Sequence, residues 1–251
     1  MFWWVERGES FPTDDLVAIA LETHRQAERW LFINMVSSVD GATTVRGQST
    51  PLSDDADRAM FRALRAACDA VLVGAGTVRA EDYGPIRLDD RAQGLRRAAG
   101  LEPLPRLVIV SRSLYFEPSA RVFEDSDRMP IVFTGADAPI ERRRALEDKA
   151  EVVVAGDVGV DPARALDMLA DRGHGVVLCE GGPTLNASLL EAGLVDEIDL
   201  TLSPLVVGGM SHRIVAGATE GEREFRLERV LAGEKMLFLR YVREGSSHPQ
   251  E

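Results

Sequence analysis

The chain has 251 residues, 45% of them hydrophobic, with a formal net charge of −12 and a pI near 4.9. That length and apolar share suffice for a substantial core, in one large domain or two small ones. The acidic balance argues against a nonspecific nucleic-acid binder, which needs a basic surface, and no run approaches the ~20 apolar residues that cross a bilayer.

The chain starts MFWWVERGES, without the basic start and long apolar core of a secretion signal. A cytoplasmic protein is expected, with Cys68 and Cys179 as reduced core thiols rather than a metal or disulfide framework. Residues 10–15 read as a turn and 14–29 as a helix with Leu16, Ile19 and Ala20 inward. The first clear strand is 30–36, ended by the turn Ser37-Ser38-Val39-Asp40-Gly41. Ser53 is placed to cap a helix running to about residue 67, with Asp54 and Asp55 in its first turn and an apolar stripe at spacings of three and four.

A short strand at 70–73 runs into Gly74-Ala75-Gly76-Thr77. Residues 85–105 are irregular, with one helical piece at 89–99. Strands follow at 106–110, 130–134 and 151–155, with a helix at 141–149. Asp161-Pro162 starts a helix, because aspartate caps and proline suits the first helical position. A strand at 175–179 meets Glu180-Gly181-Gly182, and a helix begins at Pro183. Strands at 195–202, 225–231 and 235–242 complete the pattern, and residues 244–251 form a polar tail expected to fray.

Strands alternating with helices predict a mixed, mainly parallel α/β sheet with helices on both faces. The last two strands suit an antiparallel addition. An extension at 1–29, one domain at 30–242 and a tail at 243–251 are expected.

Two segments suggest an anion site. Gly74, Gly76 and Thr77 follow one buried strand, and Gly181, Gly182 and Thr184 follow another. Glycines allow close approach of backbone to ligand, and a helix start offers free N–H groups. Each is a weak signal by itself, since Gly-x-Gly is also a plain turn and Thr184 also a plain cap. Two in one α/β chain point to a nucleotide at the carboxyl ends of the strands. Glu180 suits a hydroxyl, an amide or a protonated ring better than a phosphate. Ser111 and Arg112, after the strand 106–110, are candidates for a 2′-phosphate, which would select NADPH over NADH. Asp82 lies after the first glycine segment, where it can reach a substrate beside the cofactor. Asn34, an amide in an apolar strand, Ser38 and Asp40 are candidate substrate contacts. Zinc, P-loop and nucleophile-elbow motifs are absent, and no metal is expected.

Taken together, these pieces resemble the reductase domain of the bifunctional riboflavin-biosynthesis deaminase-reductase, within the dihydrofolate-reductase-like fold. The resemblance is carried by residues 35–41, 69–82, 179–186, 193–197 and 203–209, and spans 30–242. It implies an NADPH-dependent reductase, usually a homodimer, that reduces the ribosyl group of a deaminated ribosylaminopyrimidine phosphate to ribityl. It assigns Gly74, Gly76, Thr77, Gly181, Gly182 and Thr184 to the cofactor, and Asp82 and Glu180 to the reaction space. Ser111 would help select the phosphorylated cofactor.

Two departures stand out. Asn34 occupies a position where the family commonly has lysine, and Ser49–Ser53 replaces a Trp-Ile-Ser/Thr stretch. The deaminase signature H-x-E followed by P-C-x-x-C is absent. A pterin reductase and an NADPH-binding sensor without turnover are the alternatives.

Overall fold

Strand β3 (Trp30–Ser38) occupies the middle of an eleven-stranded sheet in a computed structural model. The structure describes all residues except 6, 7, 26, 118, 125–127 and 246–251. The expected tail falls mostly outside the described residues.

From one edge the strands run β2 (Glu9–Phe11), β1 (Phe2–Trp4), β10 (Phe225–Ala232), β11 (Leu237–Arg243), β9 (Glu197–Ser203) and β3. They continue through β8 (Val176–Cys179), β4 (Ala70–Gly74), β5 (Arg106–Val110), β6 (Ile131–Thr134) and β7 (Glu151–Val154). All pairings from β9 to β7 are parallel. Those from β9 outward to β2 are antiparallel.

The central strands are buried on both faces, which explains their unbroken apolar runs. Trp30 and Phe32 of β3 join one core layer with Leu64, Val71, Val73 and Leu178. Leu31 and Ile33 alternate into the other, with Leu72, Val177, Leu169 and Leu189. Helices α1 (Leu16–His24), α2 (Asp55–Ala67) and α3 (Ala75–Ala80) cover the first face. Helices α6 (Pro162–Ala170) and α7 (Pro183–Glu191) cover the second. Helix α4 (Asp90–Ala98) packs over α2, and α5 (Ile140–Arg144) follows β6.

Several local expectations change. The N-terminal segment supplies strands as well as a helix: β1 pairs with both β2 and β10, so residues 2–11 extend the sheet. The cap of α2 is Asp54, whose carboxylate accepts from Asp57 N at 2.9 Å. Ser53 is instead held by its own N–H on Thr50 O, closing the preceding turn. The helix expected at 141–149 stops at Arg144, because the chain then turns through Leu146 N–H to Arg143 O. The Arg143 guanidinium meanwhile donates to the carbonyls of Gly135 and Ala138. At Asp161 the expected cap is present, accepting from Ala163 N and Arg164 N.

Candidate active site

Strands β8, β4 and β5 are neighbours, so the segments leaving their carboxyl ends lie side by side. Gly74 closes β4 and caps α3 at φ −76°, so Gly74-Ala75-Gly76 is a strand-to-helix step rather than the expected tight turn. Its glycines serve close approach. Gly74 N–H donates to Gly181 O at 2.7 Å, joining the two glycine segments directly. A side chain at Gly74 would meet Gly182 N at 3.5 Å, and one at Gly182 would meet Thr77 Oγ1 at 2.7 Å. Gly181 has φ +79°, where only glycine sits at ease. The Gly181–Gly182 peptide is cis.

Both helices that begin here, α3 and α7, start on glycine with no side-chain cap. Thr184 is exposed in the first turn of α7 and does not cap it. First-turn N–H groups without side-chain caps are suited to anions. Asn186 braces the junction from behind. It is buried, accepts from Cys179 Sγ and donates to Ile214 O.

Glu180 is held tightly. Arg65 of α2 donates from Nε to Oε1 at 2.7 Å and from Nη2 to Oε2 at 2.8 Å. Tyr83 adds a hydrogen bond to Oε2 at 2.6 Å. Burial and then the Glu180 charge push the Tyr83 hydroxyl well above its ordinary range. Tyr83 directly follows Asp82, so Asp82 sits on the segment that this triad fixes. The Asp82 carboxylate is itself exposed and pairs with Arg121 at 3.0 Å, from a backbone at φ 45°.

Ser111 and Arg112 leave β5 at the same sheet edge. Ser111 is buried and its Oγ accepts from Leu114 N. The Arg112 head is exposed and reaches Asp137, which also accepts from Gly159 N.

On the other side of β8, Ser38 donates to Asp40 at 2.6 Å, and Asp40 accepts from Val207 N and Gly208 N. These bonds hold the Asp40 carboxyl down at about 2 and tie the end of β3 to the loop after β9. Asn34 points into a small cavity between α1, α2 and strands β3, β9, β10 and β11. The expected site residues therefore fall in two groups. One lies at the carboxyl ends of β8, β4 and β5; the other lies at β3 and the loop after β9.

Two features escape sequence reasoning. His24 is fully buried, with Nε2 on Glu197 at 2.8 Å, and Glu197 also receives Arg240 and Trp30. Burial opposes the His24 charge, but Glu197 and Asp199 outweigh it and raise His24 to about 9. Asp199 is raised to about 6 by burial and the neighbouring Glu197. His24, Glu197 and Asp199 bring donor atoms within 4.8 Å of one another. Arg240 lies 2.7 Å from Glu197, and its charge is already there to balance the carboxylates. The second feature is Asp57, buried at 8% exposure in the first turn of α2, where burial pushes its carboxyl above the usual carboxylate range. The clue is its spacing, three before Met60 and seven before Leu64, on the face that turns inward.

Residues 29–238 match the RibD C-terminal domain family. A 2,5-diamino-6-ribosylamino-4(3H)-pyrimidinone 5′-phosphate reductase of Methanothermobacter thermautotrophicus is 34% identical over 79% of this chain and 90% of its own length. One of the same name from Archaeoglobus fulgidus is 31% identical over 80% and 92%. A pyrimidine reductase-like protein from Corynebacterium diphtheriae superposes with a TM-score of 0.83 at 29% identity, covering 93% of this chain and 99% of that one. Among the described residues, no helix is long and apolar enough to cross a membrane.

Proposed function

We propose a function from the premise that these matches supply: this chain belongs to the RibD C-terminal domain family. It is an NADPH-dependent oxidoreductase of riboflavin biosynthesis, acting on a small-molecule pyrimidine. In our reading it reduces the ribosyl group of a ribosylaminopyrimidine phosphate to ribityl.

The observation that supports this best is the contact of the two glycine segments. Gly74 bonds Gly181, Gly182 has no room for a side chain beside Thr77, and Gly76 faces open space. This is a cradle that Cβ atoms would fill, at a sheet edge with helix starts free of side-chain caps, and it fits a dinucleotide diphosphate. Thr77 and Thr184 supply hydroxyls. Ser111 and Arg112, one strand over, are suited to the 2′-phosphate. When bound, NADPH supplies the hydride, delivered from the nicotinamide C4 to an imine or opened-sugar carbon.

The protein's own part is placement and proton handling. Arg65 and Tyr83 hold Glu180 in one orientation at the floor of the site. Asp82 is exposed on the adjoining segment, where it can carry the proton that accompanies the hydride. Asn34, Ser38 and Asp40 belong to the acceptor side. A homodimer in the cytoplasm, without nucleic acid, is the setting we propose.

The test is a panel of acceptors read by NADPH absorbance and product mass. Oxidation with a ribosylaminopyrimidine phosphate, yielding the ribityl product, is expected. Oxidation with dihydrofolate alone would transfer the assignment to a pterin. Tight NADPH binding with no turnover would reduce the protein to a sensor.

A further inference from the structure

One face of the antiparallel strands is left open. Along β11 every second residue is buried: Phe238, Arg240 and Val242 lie on the side of α1 and α2, and Leu237, Leu239 and Tyr241 point away. The pairing register lines the second set up with apolar neighbours. Trp3, Ala232, Leu237 and Leu202 form one row across four strands, and Val230, Leu239 and Leu200 form the next. Leu227 stands opposite Tyr241 beyond them. Among the described residues, none of these positions joins a buried core layer. Trp3 is 51% exposed, Leu227 48% and Leu237 39%.

Together these rows leave on the order of 600 Å² of apolar surface in water, the upper end for the largest patch of a monomer and near the ~800 Å² per partner of a standard interface. The rows carry no charged side chain, and the ion pair of Arg243 with Asp196 closes their far end. A chain of net charge −12 repels its own copies wherever acids meet. A charge-free sheet face is the surface on which two copies can meet without that repulsion. Two flat antiparallel faces also suit each other: aligned sheets interdigitate their side chains about 10 Å apart, and a two-fold axis brings the same rows to both sides.

The face runs into the candidate site. Leu202 is followed by Ser203 and the loop 204–210. Leu205 O accepts from Val39 N at 2.9 Å, and Val207 N and Gly208 N donate to Asp40 at 3.0 and 2.7 Å. Leu205, Val206 and Met210 of this loop are themselves exposed. Resting on the homodimer reading above, we propose that a second copy of this chain packs on the Trp3, Leu237 and Leu202 face, sheet against sheet, and that this contact pins the root of the loop that holds Asp40. The homodimer thereby has a surface and a part in acceptor binding.

Sedimentation equilibrium of the full chain should give a dimer at micromolar concentration. Leu237→Glu and Leu227→Glu put a charge in the seam and should weaken association at least about 100-fold. Met129→Glu, at an exposed apolar position outside the face, should leave the dimer intact. Leu237→Ala removes area without adding charge; it should weaken the dimer several-fold and provides the readout if a glutamate variant does not fold. In the monomeric variants the amides of Val207 and Gly208 should exchange with deuterium about tenfold faster, and the KM for a ribosylaminopyrimidine phosphate should rise about tenfold, with NADPH affinity unchanged. A wild type that is monomeric at every concentration overturns the proposal and the homodimer together. A dimer that survives the substitutions overturns this surface and leaves the homodimer standing. Monomers whose loop amides exchange at the wild-type rate overturn the pinning of the loop. None of these outcomes touches the reductase reading, which fails only if the wild type turns over no acceptor.

Discussion

The guanidinium of Arg65 grips both oxygens of Glu180, at 2.7 and 2.8 Å, and joins α2 to the segment leaving β8. The side chains are 13% and 4% exposed, so water screens little of the pair. Both ends of the contact position the glycine junction, since Glu180 directly precedes Gly181.

Glu180→Gln should therefore cost about 3–5 kcal/mol of stability, because it strands a buried guanidinium. Arg65→Lys keeps the charge but loses the fork and should cost less. Urea titrations would measure both. A loss under about 1 kcal/mol for Glu180→Gln would mean that the pair is as well solvated as a surface bridge.

The contact at Gly182 leads to a second prediction. An alanine there puts a carbon 2.7 Å from Thr77 Oγ1, so something must shift. Overpacking of this kind typically costs about 1–3 kcal/mol. Gly182→Ala should melt earlier and bind NADPH at least about tenfold more weakly. Adding Thr77→Ala removes the clashing oxygen and should restore the melting temperature. NADPH affinity should stay low, because the hydroxyl is one of the proposed contacts. Recovery of both properties together would leave Thr77 as packing only.

How much of this was legible beforehand depends on where each residue finds its partner. Strand Arg106–Val110 was readable because both of its faces are buried and the apolar run is unbroken. The cap at Asp161 was readable because its partners are two and three residues away. Strand β1 was not, since Phe2–Trp4 becomes a strand only by pairing with Ser10 on one side and Ala232 on the other. The same holds at the site. Glycines after buried strands announce themselves locally. Glu180 read as a residue of the reaction space, but its clamp by Arg65 was not legible, because the two lie far apart in the chain.

Cofactor choice can be tested separately from chemistry. Arg112 is 70% exposed and its bridge to Asp137 is open to solvent, so Arg112→Ala should leave stability within about 0.5 kcal/mol. If its guanidinium serves a 2′-phosphate, the NADPH over NADH ratio in kcat/KM should narrow about tenfold or more. Ser111→Ala should narrow it too, with a stability cost near 1 kcal/mol for the lost bond to Leu114 N. An unchanged ratio in both variants rules out their part in cofactor choice.

His24 makes stability depend on pH. Its folded value of about 9 lies above the ordinary 6.5, so folding favours the charged ring. That contribution is complete below pH 6.5 and is lost as pH rises through 9. The shift corresponds to something on the order of 3 kcal/mol. Asp199 runs the same way lower down: raised to about 6, it gives up its contribution between the ordinary carboxylate range and pH 6. His24→Gln should flatten the fall in stability between pH 6.5 and 9 and leave the acid side similar. A parallel pair of wild-type and variant curves across that window would refute a charged His24.

Asp82 is the acid best placed to act without taking the fold down with it. Its carboxylate is 73% exposed and pairs with Arg121 alone among the described residues, and asparagine tolerates its positive φ of 45°. Asp82→Asn should therefore melt within a degree or two of the wild type and bind NADPH equally well. Hydride transfer in single turnover should fall about 10²–10⁴-fold, the usual contribution of a positioned acid. The loss should be smaller at low pH if the solvent can take over as proton donor. Asp82→Glu moves the same carboxyl by one methylene and should recover part of the rate. Arg121→Ala frees the exposed carboxylate from its partner and should leave transfer in place. Should single-turnover transfer in Asp82→Asn match the wild type, the proton must come from elsewhere, and Tyr83, bonded to Glu180 on the same segment, becomes the next residue to change.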